Sequence, residues 1–500
     1  MKNYEIDAAW QYHNGTKHPN GALLNRFHTY RATDRPIMYK IYKKAPRIDL
    51  VLDKRPSGVS ALDAISDSVE GESISPNIDS LTKILYFSAG ITKTIRFAPP
   101  LDRIEFRAAS CTGALYHIEV YIICGNIPGL EAGIYHFDPK AFSLTTLRKG
   151  DYRSVLSDAT AGESFASRAP LFLVFSDVFS RNSIKYQARE YRHAFWDCGT
   201  MLANSLAMAR AHRLQHRLIL GFVDSKVNML LGLNPKREAA LAILPLGQSQ
   251  APADRPTLQD ATEEEPPEHD MYYEAIDKMH QSSSLTSNEE VLEWRKNTIQ
   301  KTEHQRSNQV STINYASSED DLESVIQRRG STRKFSHDAI TLAELTAILK
   351  RSTEGVDSDF EENVMINEIY LIANAVDGLE NGSYFYNGED QSLELLQKGD
   401  LRDVSGHLGL DQSLPYDASV TIFFMIDLQM ILKRFGNRGY RVAQMDASIA
   451  AGRMYLAAYA LCLGATGLTF YDDEVKDFFS PHASNMSVMF MLAVGKKSKV

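Results

Sequence analysis

The chain is poor in cysteine, in basic charge and in long apolar runs, and each shortage removes a class of protein from consideration. Its four cysteines, Cys111, Cys124, Cys198 and Cys462, show neither CxxC nor Cys/His spacing, which argues against structural zinc and against a disulfide framework. Reduced thiols packed in the core are expected. A net charge of −9 argues against nucleic acid as the main partner, because a phosphate backbone calls for a basic face. No stretch approaches the roughly 18 apolar residues of a membrane-crossing helix, and Met1 to Trp10 hold no apolar run of signal-peptide kind. A cytoplasmic protein with no membrane partner and no metal is therefore expected. Hydrophobic content of 44% is ordinary for a globular protein, so each half of the chain can bury a core.

What the sequence does contain is a repeat. Gly129-Leu130-Glu131-Ala132-Gly133-Ile134-Tyr135, then Leu147, Lys149-Gly150-Asp151 and Arg153, recurs as Gly378-Leu379-Glu380-Asn381-Gly382-Ser383-Tyr384, Leu396, Lys398-Gly399-Asp400 and Arg402, an offset of 249 (378 − 129). The same offset carries Arg189, Tyr191, Arg192, Ala194 and Asp197 onto Arg438, Tyr440, Arg441, Ala443 and Asp446. Solenoid and propeller repeats run to roughly 20–50 residues, so this longer period marks a duplicated globular domain. Arg189, Tyr191 and Arg192 persist in both copies, which suggests a structural role at helix N-termini or in the contact between copies.

Apolar spacing predicts an amphipathic helix from Ile78 to Phe87, whose Leu81-Thr82-Lys83-Ile84-Leu85 has a twin in Leu345-Thr346-Ala347-Ile348-Leu349 at an offset of 264 (345 − 81). Strands are predicted at Ile118 to Cys124 and Leu171 to Phe175, with counterparts at Glu368 to Ala373 and Val420 to Ile426. Long helices rich in Ala, Leu and Met follow at Tyr191 to Ala211 and Tyr440 to Leu461. The expected layout is a lead-in over 1–75, an α+β domain over 76–250, an acidic and polar linker over 251–315 and a second α+β domain over 316–500. The linker contains Glu263-Glu264-Glu265-Pro266-Pro267-Glu268 and a predicted helix around Glu289 to Gln300.

The sharpest local signal is Arg328-Arg329-Gly330-Ser331-Thr332-Arg333. Three guanidiniums and a hydroxyl within six residues offer forked donors that match phosphate oxygens, although an isolated Arg-Arg pair is more often a solvated basic patch. With this segment in view, the chain resembles the nitroreductase family of flavoproteins, in which an Arg-Arg-Ser-x-Arg segment holds the FMN phosphate. It is most similar to the branch of SagB-type azoline dehydrogenases of thiazole/oxazole-modified peptide biosynthesis. The resemblance runs over nearly the whole chain, once per half. It rests on Ala109-Ser110-Cys111-Thr112-Gly113-Ala114-Leu115-Tyr116-His117-Ile118-Glu119 and on Lys185-Tyr186 followed by Arg189-Glu190-Tyr191-Arg192. Ala109 and His117 stand where that branch usually has proline.

In that family the flavin lies at a dimer interface. One subunit supplies the arginine clamp, a Gly-containing turn and a basic tail; the other supplies the Ser-containing loop and the residues over the reacting face. Mapped through the repeat, the losses are complementary. The clamp falls on Ala64-Ile65-Ser66-Asp67-Ser68-Val69, which has no cation; Gly464-Ala465-Thr466-Gly467-Leu468 falls on Gln215-His216-Arg217-Leu218-Ile219; and Gly495-Lys496-Lys497 meets Gly247-Gln248-Ser249 at an offset of 248 (495 − 247). Conversely, Ser110-Cys111-Thr112-Gly113 falls on Asp359-Phe360-Glu361-Glu362 and Lys185-Tyr186 on Arg434-Phe435. One composite site in an internal pseudo-dimer is expected. FMN would be bound by Arg328, Arg329, Ser331, Arg333, Gly464, Ala465, Thr466, Gly467, Leu468, Lys496 and Lys497 of the second half, with Ser110, Cys111, Thr112 and Gly113 of the first.

The implied reaction is oxidation of a thiazoline or oxazoline on a precursor peptide, with Lys185 and Tyr186 as candidate bases and cyclodehydratase subunits as partners. Both candidates have reference pKa values near 10, so either needs a lowered value to act. An NAD(P)H-dependent nitro- or quinone reductase and a non-catalytic subunit of a peptide-modifying complex are the alternatives. His117 is read as packing or interface, and Tyr116 and Glu119 as the lead into a strand.

Overall fold

The repeat read in the sequence reappears as an element-by-element correspondence. The computed structural model describes residues 2–19, 36–42, 45–66, 71–96, 103–249, 271–296, 309–311 and 314–498. Helix α3 (Ile78–Ala89) corresponds to α11 (Leu342–Thr353) at the offset of 264. Both begin with reciprocal side-chain and backbone bonds, Asn77 with Ser80 and Thr341 with Glu344, which satisfy backbone N–H groups that the first turn leaves open. At the offset of 249, β5 (Gly133–Asp138) and β6 (Ser143–Lys149) match β13 (Gly382–Asn387) and β14 (Ser392–Lys398). Helices α4 (Arg153–Ala159) and α5 (Phe179–Tyr186) match α12 (Arg402–Leu408) and α14 (Leu428–Phe435).

Two antiparallel sheets result, with the same core order. The first runs β1 (Arg47–Asp49), β6, β5, β4 (Ile118–Cys124), β7 (Leu171–Val178), β8 (Glu238–Leu246). The second runs β16 (Gly464–Leu468), β17 (Ser487–Gly495), β15 (Val420–Ile426), β11 (Glu368–Ala373), β13, β14, β9 (Gln309–Ser311). The central strands are buried along their whole length, so their sequences are largely apolar on both faces instead of alternating, with Glu119, Ser176 and Asp177 among the buried polar exceptions. In the last strand the register opposes Leu171 to Leu246 and Val420 to Val494, which gives an offset of 248 (494 − 246) and agrees with the alignment of the tail. The segment read as a glycine turn is the edge strand β16. Its five residues pair with β17, whereas among the described residues the first half has the single bridges His216–Leu246 and Ile219–Ile243 at the equivalent place.

The two halves share one continuous apolar core, and their long helices cross at its centre. Helix α6 (Glu190–Ala211) meets α15 (Arg438–Ala460) through small residues. A Cβ on Gly199 would lie 1.8 Å from Ser448 Oγ, and one on Gly452 would lie 2.6 Å from the Cβ of Ala203. Residues 199 and 448, and 203 and 452, are counterparts at the offset of 249, so each position meets its own equivalent. That is the signature of a two-fold axis. Reciprocal bonds repeat the relation at the short helix α2 (Ala61–Ala64) and α10 (Leu322–Arg328): the N–H of Ala61 donates to Asp320 O (2.9 Å) and that of Leu322 to Val59 O (3.1 Å).

The retained arginines lock the halves together. Arg189 and Arg192 reach Asp472 at 3.1 and 2.6 Å; Arg438 and Arg441 reach Asp224 at 2.7 and 2.7 Å, and all six side chains are buried. Asp472 opens α16 (Asp472–Phe478) and Asp224 opens α7 (Asp224–Leu231), so each half grips the other by a helix N-terminus. The segments read as lead-in and linker contribute to the same lock. In α1 (Asp7–Gly15) the carbonyl of His13 accepts from Arg192 (2.7 Å), and in α8 (Glu274–Ser282) that of His280 accepts from Arg441 (2.9 Å). These helices form a further repeated pair, at an offset of 267 (280 − 13). Tyr12 lies edge-on to Tyr191 and to Tyr440, 5.7 Å from each, on the axis itself. The predicted linker helix is α9 (Asn288–Arg295); residues 297–300, the acidic run at 263–268 and Asp67 to Val69 lie outside the described residues.

Candidate active site

The loop from Ser110 to Gly113 is held by Asp197 on α6. Asp197 accepts bonds from Thr112 N (2.8 Å), Thr112 Oγ1 (2.9 Å) and the Cys111 thiol (3.1 Å). Thr200 Oγ1 donates to the Ser110 carbonyl (3.0 Å), and Asn182 of α5 to that of Thr112 (3.3 Å). Burial and then the nearby Asp197 carboxylate push the Cys111 thiol up to about 11, so it is no thiolate nucleophile at neutral pH. The expectation of four core cysteines holds for Cys124 and Cys198 only: Cys111 sits half-buried in this loop and Cys462 is exposed.

His117 corrects a second expectation. It is neither simple packing nor interface but a fully buried bridge, its Nδ1 donating to Asp177 (2.6 Å) and its Nε2 to Asp197 (2.7 Å). Burial alone would lower its pKa, but Asp177 and Asp197 raise it well above the ordinary histidine value. Glu190 completes the cluster, 3.4 Å from Nδ1, and burial and Asp177 push its carboxyl well up. The counterparts of His117, Asp177 and Glu190 are Ile366, Ile426 and Gly439, so the cluster exists in one half only. Comparison of the two halves at 249 was the signal for it: three polar residues face two isoleucines and a glycine. The retained counterpart Asp446 accepts from the backbone N–H of Ile366 (3.2 Å) and Asn367 (3.0 Å); burial pushes it up to about 6. Glu119 does more than lead into β4, since it pairs with Arg181 and, at 2.9 Å, with His136.

Lys185 and Tyr186 end α5 beside this loop. The Lys185 ammonium lies 5.0 Å from the Tyr186 ring centroid, and that ring stands edge-on to His193 at 4.5 Å. A Cβ on Gly113 would lie 2.9 Å from Tyr186 Oη, so the missing side chain lets the hydroxyl reach the loop. The next residue, Gln187, adopts φ +53 where its counterpart is Gly436 at φ +66. Holding a non-glycine residue there costs about 1–3 kcal/mol, a strain found mostly where geometry matters.

On the second-half side, Arg329 is the inward member of the arginine segment. Its Nε and Nη2 donate to the Ala108 carbonyl (3.0 and 2.7 Å), two residues before Ser110, so the clamp of one half meets the loop of the other. Arg328 departs from the expected role. It pairs with Asp320 and donates to Tyr459 O (2.8 Å), a carbonyl left open at the end of α15, and so pins the clamp without reaching inward. Arg333 and Lys496 are exposed. Thr332 N donates to Ala465 O (2.9 Å), Ser331 Oγ lies 3.4 Å from Tyr455 Oη, and the N–H of Gly467 donates to Tyr455. Lys497 lies over Tyr459 at 4.8 Å. Cβ atoms at Gly464 and Gly467 would sit 2.3 Å from Thr332 Oγ1 and 3.0 Å from Phe490, so these glycines allow the close approach of β16. Among the described residues no carboxylate pairs with Arg329 or Lys497; a guanidinium, an ammonium and the Ser331 hydroxyl are all donors of the kind that phosphate oxygens accept from.

The opposite face is filled. Trp294 of α9 is fully buried with its ring 5.1 Å from Phe435, the counterpart of Tyr186. Asp359, the counterpart of Ser110, accepts from Leu220 N (2.8 Å), Gly221 N (2.9 Å) and Arg295 (3.1 Å). Arg434, in the place of Lys185, pairs with Glu361 at 2.9 Å.

The nitroreductase family signature matches twice, over residues 91–248 and 326–496. A solved structure of a protein assigned as a nitroreductase, from Anabaena variabilis, superposes over 98% of this chain and 99% of its own, with a TM-score of 0.80 and 25% identity. The Escherichia coli microcin B17-processing protein McbC is 30% identical over 136 residues, 26% of this chain and 50% of its own length. The trifolitoxin-processing protein TfxB of Rhizobium leguminosarum bv. trifolii is 26% identical over 171 residues, 33% of this chain and 46% of its own. The chain thus spans about half the length of these two curated relatives. No helix among the described residues is long and apolar enough to cross a membrane. Two matching domains, each an α+β unit with the same sheet order, joined about an internal two-fold, establish that the chain is a tandem member of the nitroreductase family.

Proposed function

We propose that the chain is an FMN-dependent dehydrogenase of the SagB type, which oxidises thiazoline or oxazoline rings on a precursor peptide and works beside cyclodehydratase subunits. The observation that carries this reading is the contact of Arg329 with Ala108, which brings clamp and loop, one from each half, together. Similarity to two peptide-processing proteins supports the substrate class. Arg329, Ser331 and Lys497 would hold the FMN phosphate, and the Ser110–Gly113 backbone would lie along the ring system. FMN, when bound, would supply the two-electron acceptor for the ring carbon's hydride. The chain's own task is to take the acidic proton from the neighbouring carbon, and Lys185 with Tyr186 stands beside the loop for that purpose. Removing such a base lowers turnover by about 100- to 10,000-fold.

Lys185→Ala and Tyr186→Phe should therefore retain flavin and slow azoline oxidation, whereas Arg329→Ala should be purified largely colourless. Flavin absorbance and mass-spectrometric loss of two hydrogens from the peptide measure the two effects. Normal oxidation by Lys185→Ala would remove it as the base. Rapid bleaching by NADPH with turnover of a nitroarene would instead assign a nitroreductase activity.

A further inference from the structure

Two residues with no part in the chemistry above tie the end of α5, with its Lys185 and Tyr186, to the loop. Asn182 Nδ2 donates to the Thr112 carbonyl (3.3 Å), and Asn182 Oδ1 meets His193 Nδ1 of α6 (3.0 Å). A carbonyl can only accept, so the Thr112 oxygen fixes which end of the amide faces it. The other end is itself an acceptor, which places the imidazole proton on Nδ1. Burial, and then Arg189, lower the His193 pKa well below the ordinary histidine value, so the ring is neutral near pH 7. It stands edge-on to the Tyr186 ring at 4.5 Å and lies 4.9 Å from the Trp196 ring. Trp196 Nε1 in turn donates to Gln444 Oε1 of α15 (2.6 Å), which anchors this run of contacts in the second half. We propose that Asn182 and His193 are positioning residues, which hold the Tyr186 phenol against the Ser110–Gly113 loop for the proton transfer. The proposal rests on the reading of Tyr186 as a candidate base.

The internal two-fold supplies the comparison. At the offset of 249, Asn182, Tyr186, His193 and Trp196 correspond to Ile431, Phe435, Val442 and Met445, and Gln444 corresponds to Phe195. All five counterparts are apolar and buried. The same pair of helices therefore packs without the polar set where there is no phenol to direct. Stability alone does not call for that set, since replacing both partners of a buried hydrogen bond by apolar groups is often nearly neutral. What the polar set adds is direction. The amide fixes the Thr112 carbonyl to the imidazole, the imidazole edge fixes the phenol ring, and Gly113 leaves the space into which Tyr186 Oη reaches. A base displaced by about 1 Å can lose about 100-fold in rate, so this constraint acts on turnover more than on binding.

Asn182→Ile and His193→Val install the residues that the other side carries. In the full chain loaded with FMN, each should lower kcat for azoline oxidation by about 10- to 100-fold. KM, FMN per chain and the unfolding transition should stay as in the natural protein. In a Tyr186→Phe background His193→Val should lower kcat no further, because it acts through the phenol. An equal fall in that background, or full kcat in both single variants, would overturn the proposal. Loss of flavin would do so too, since it assigns the pair a merely structural role. His193→Phe, which keeps a buried ring without the donor, replaces the valine variant if that one does not fold. A readout without substrate separates this proposal from the reading it rests on. With meta-fluorotyrosine at position 186, the fluorine NMR line should be single in the natural background and broaden or split in Asn182→Ile as the ring gains freedom. If the natural protein oxidises no azoline, the assigned reaction fails and the fluorine line decides the positioning alone. A line unchanged by Asn182→Ile shows that the pair does not hold the phenol.

Discussion

Asp472→Ala is expected to destabilise the protein by about 3–5 kcal/mol, because it strands the buried guanidiniums of Arg189 and Arg192 without a counter-charge. Asp224→Ala should do the same to Arg438 and Arg441. The two sites lie at opposite ends of a symmetric lock, so their effects should be similar in size and should add. The expected pH dependence follows from the Asp472 carboxyl. Burial pushes its pKa up, but Arg189 and Arg192 outweigh burial and hold it well below the usual carboxylate range. A depressed folded value contributes stability above the unfolded value, near 4, and loses it as pH falls toward the folded value. The margin of the natural protein over Asp472→Ala should therefore shrink in acid. Urea unfolding near neutral pH and again near pH 3 measures it, and a loss below about 1 kcal/mol at neutral pH, the scale of an exposed pair, would show that the arginines find other partners.

His117→Ile should be of comparable severity, for the opposite reason. It removes the cation held between Asp177, Glu190 and Asp197 and leaves buried carboxyls without that compensation, again a loss of about 3–5 kcal/mol. The other half of the chain shows the remedy, since it carries isoleucine, isoleucine and glycine at the three cluster positions. The triple variant His117→Ile/Asp177→Ile/Glu190→Gly should regain more than half of the lost stability, and thermal unfolding of the natural protein and the two variants checks this. The sign with pH is also set. His117 has a raised folded pKa, so its contribution is complete below the unfolded value near 6.5 and fades as pH rises through the folded value. The advantage of the natural protein over the single variant should narrow in alkali. If the triple variant were less stable than the single one, the account of the cluster as a compensated charge network would fail.

Most of the fold was legible because duplication printed it twice. An offset preserved through strands and helices located β4, β11 and β15 to the residue, and the long helices to within one or two positions at each end. Retention of Arg189 and Arg192 in both copies marks them as structural, although their partner Asp472 lies far along the chain and no local pattern names it. The helices α1 and α8 are not legible as a pair since their likeness is in packing: His13 and His280 contribute backbone carbonyls, which carry no sequence mark. Arg328 and Arg329 looked equivalent in a run of arginines. Only the helix end beneath them, with an open carbonyl at Tyr459, turns one outward and the other inward. Tail and strand offsets were legible, but a glycine-bearing segment that pairs as β16 reads locally as a turn.

In the function proposed, the duplicated fold holds one flavin, between Arg329 and Lys497 of the second half and the Ser110 to Gly113 loop of the first, while Trp294 and Asp359 occupy the equivalent place on the other side. Flavin released by denaturation, quantified against protein in a sample saturated with FMN and freed of excess, tests this most directly. About one FMN per chain is expected, falling toward zero in Arg329→Ala. A ratio near two, or a ratio of one that survives Arg329→Ala, would contradict it.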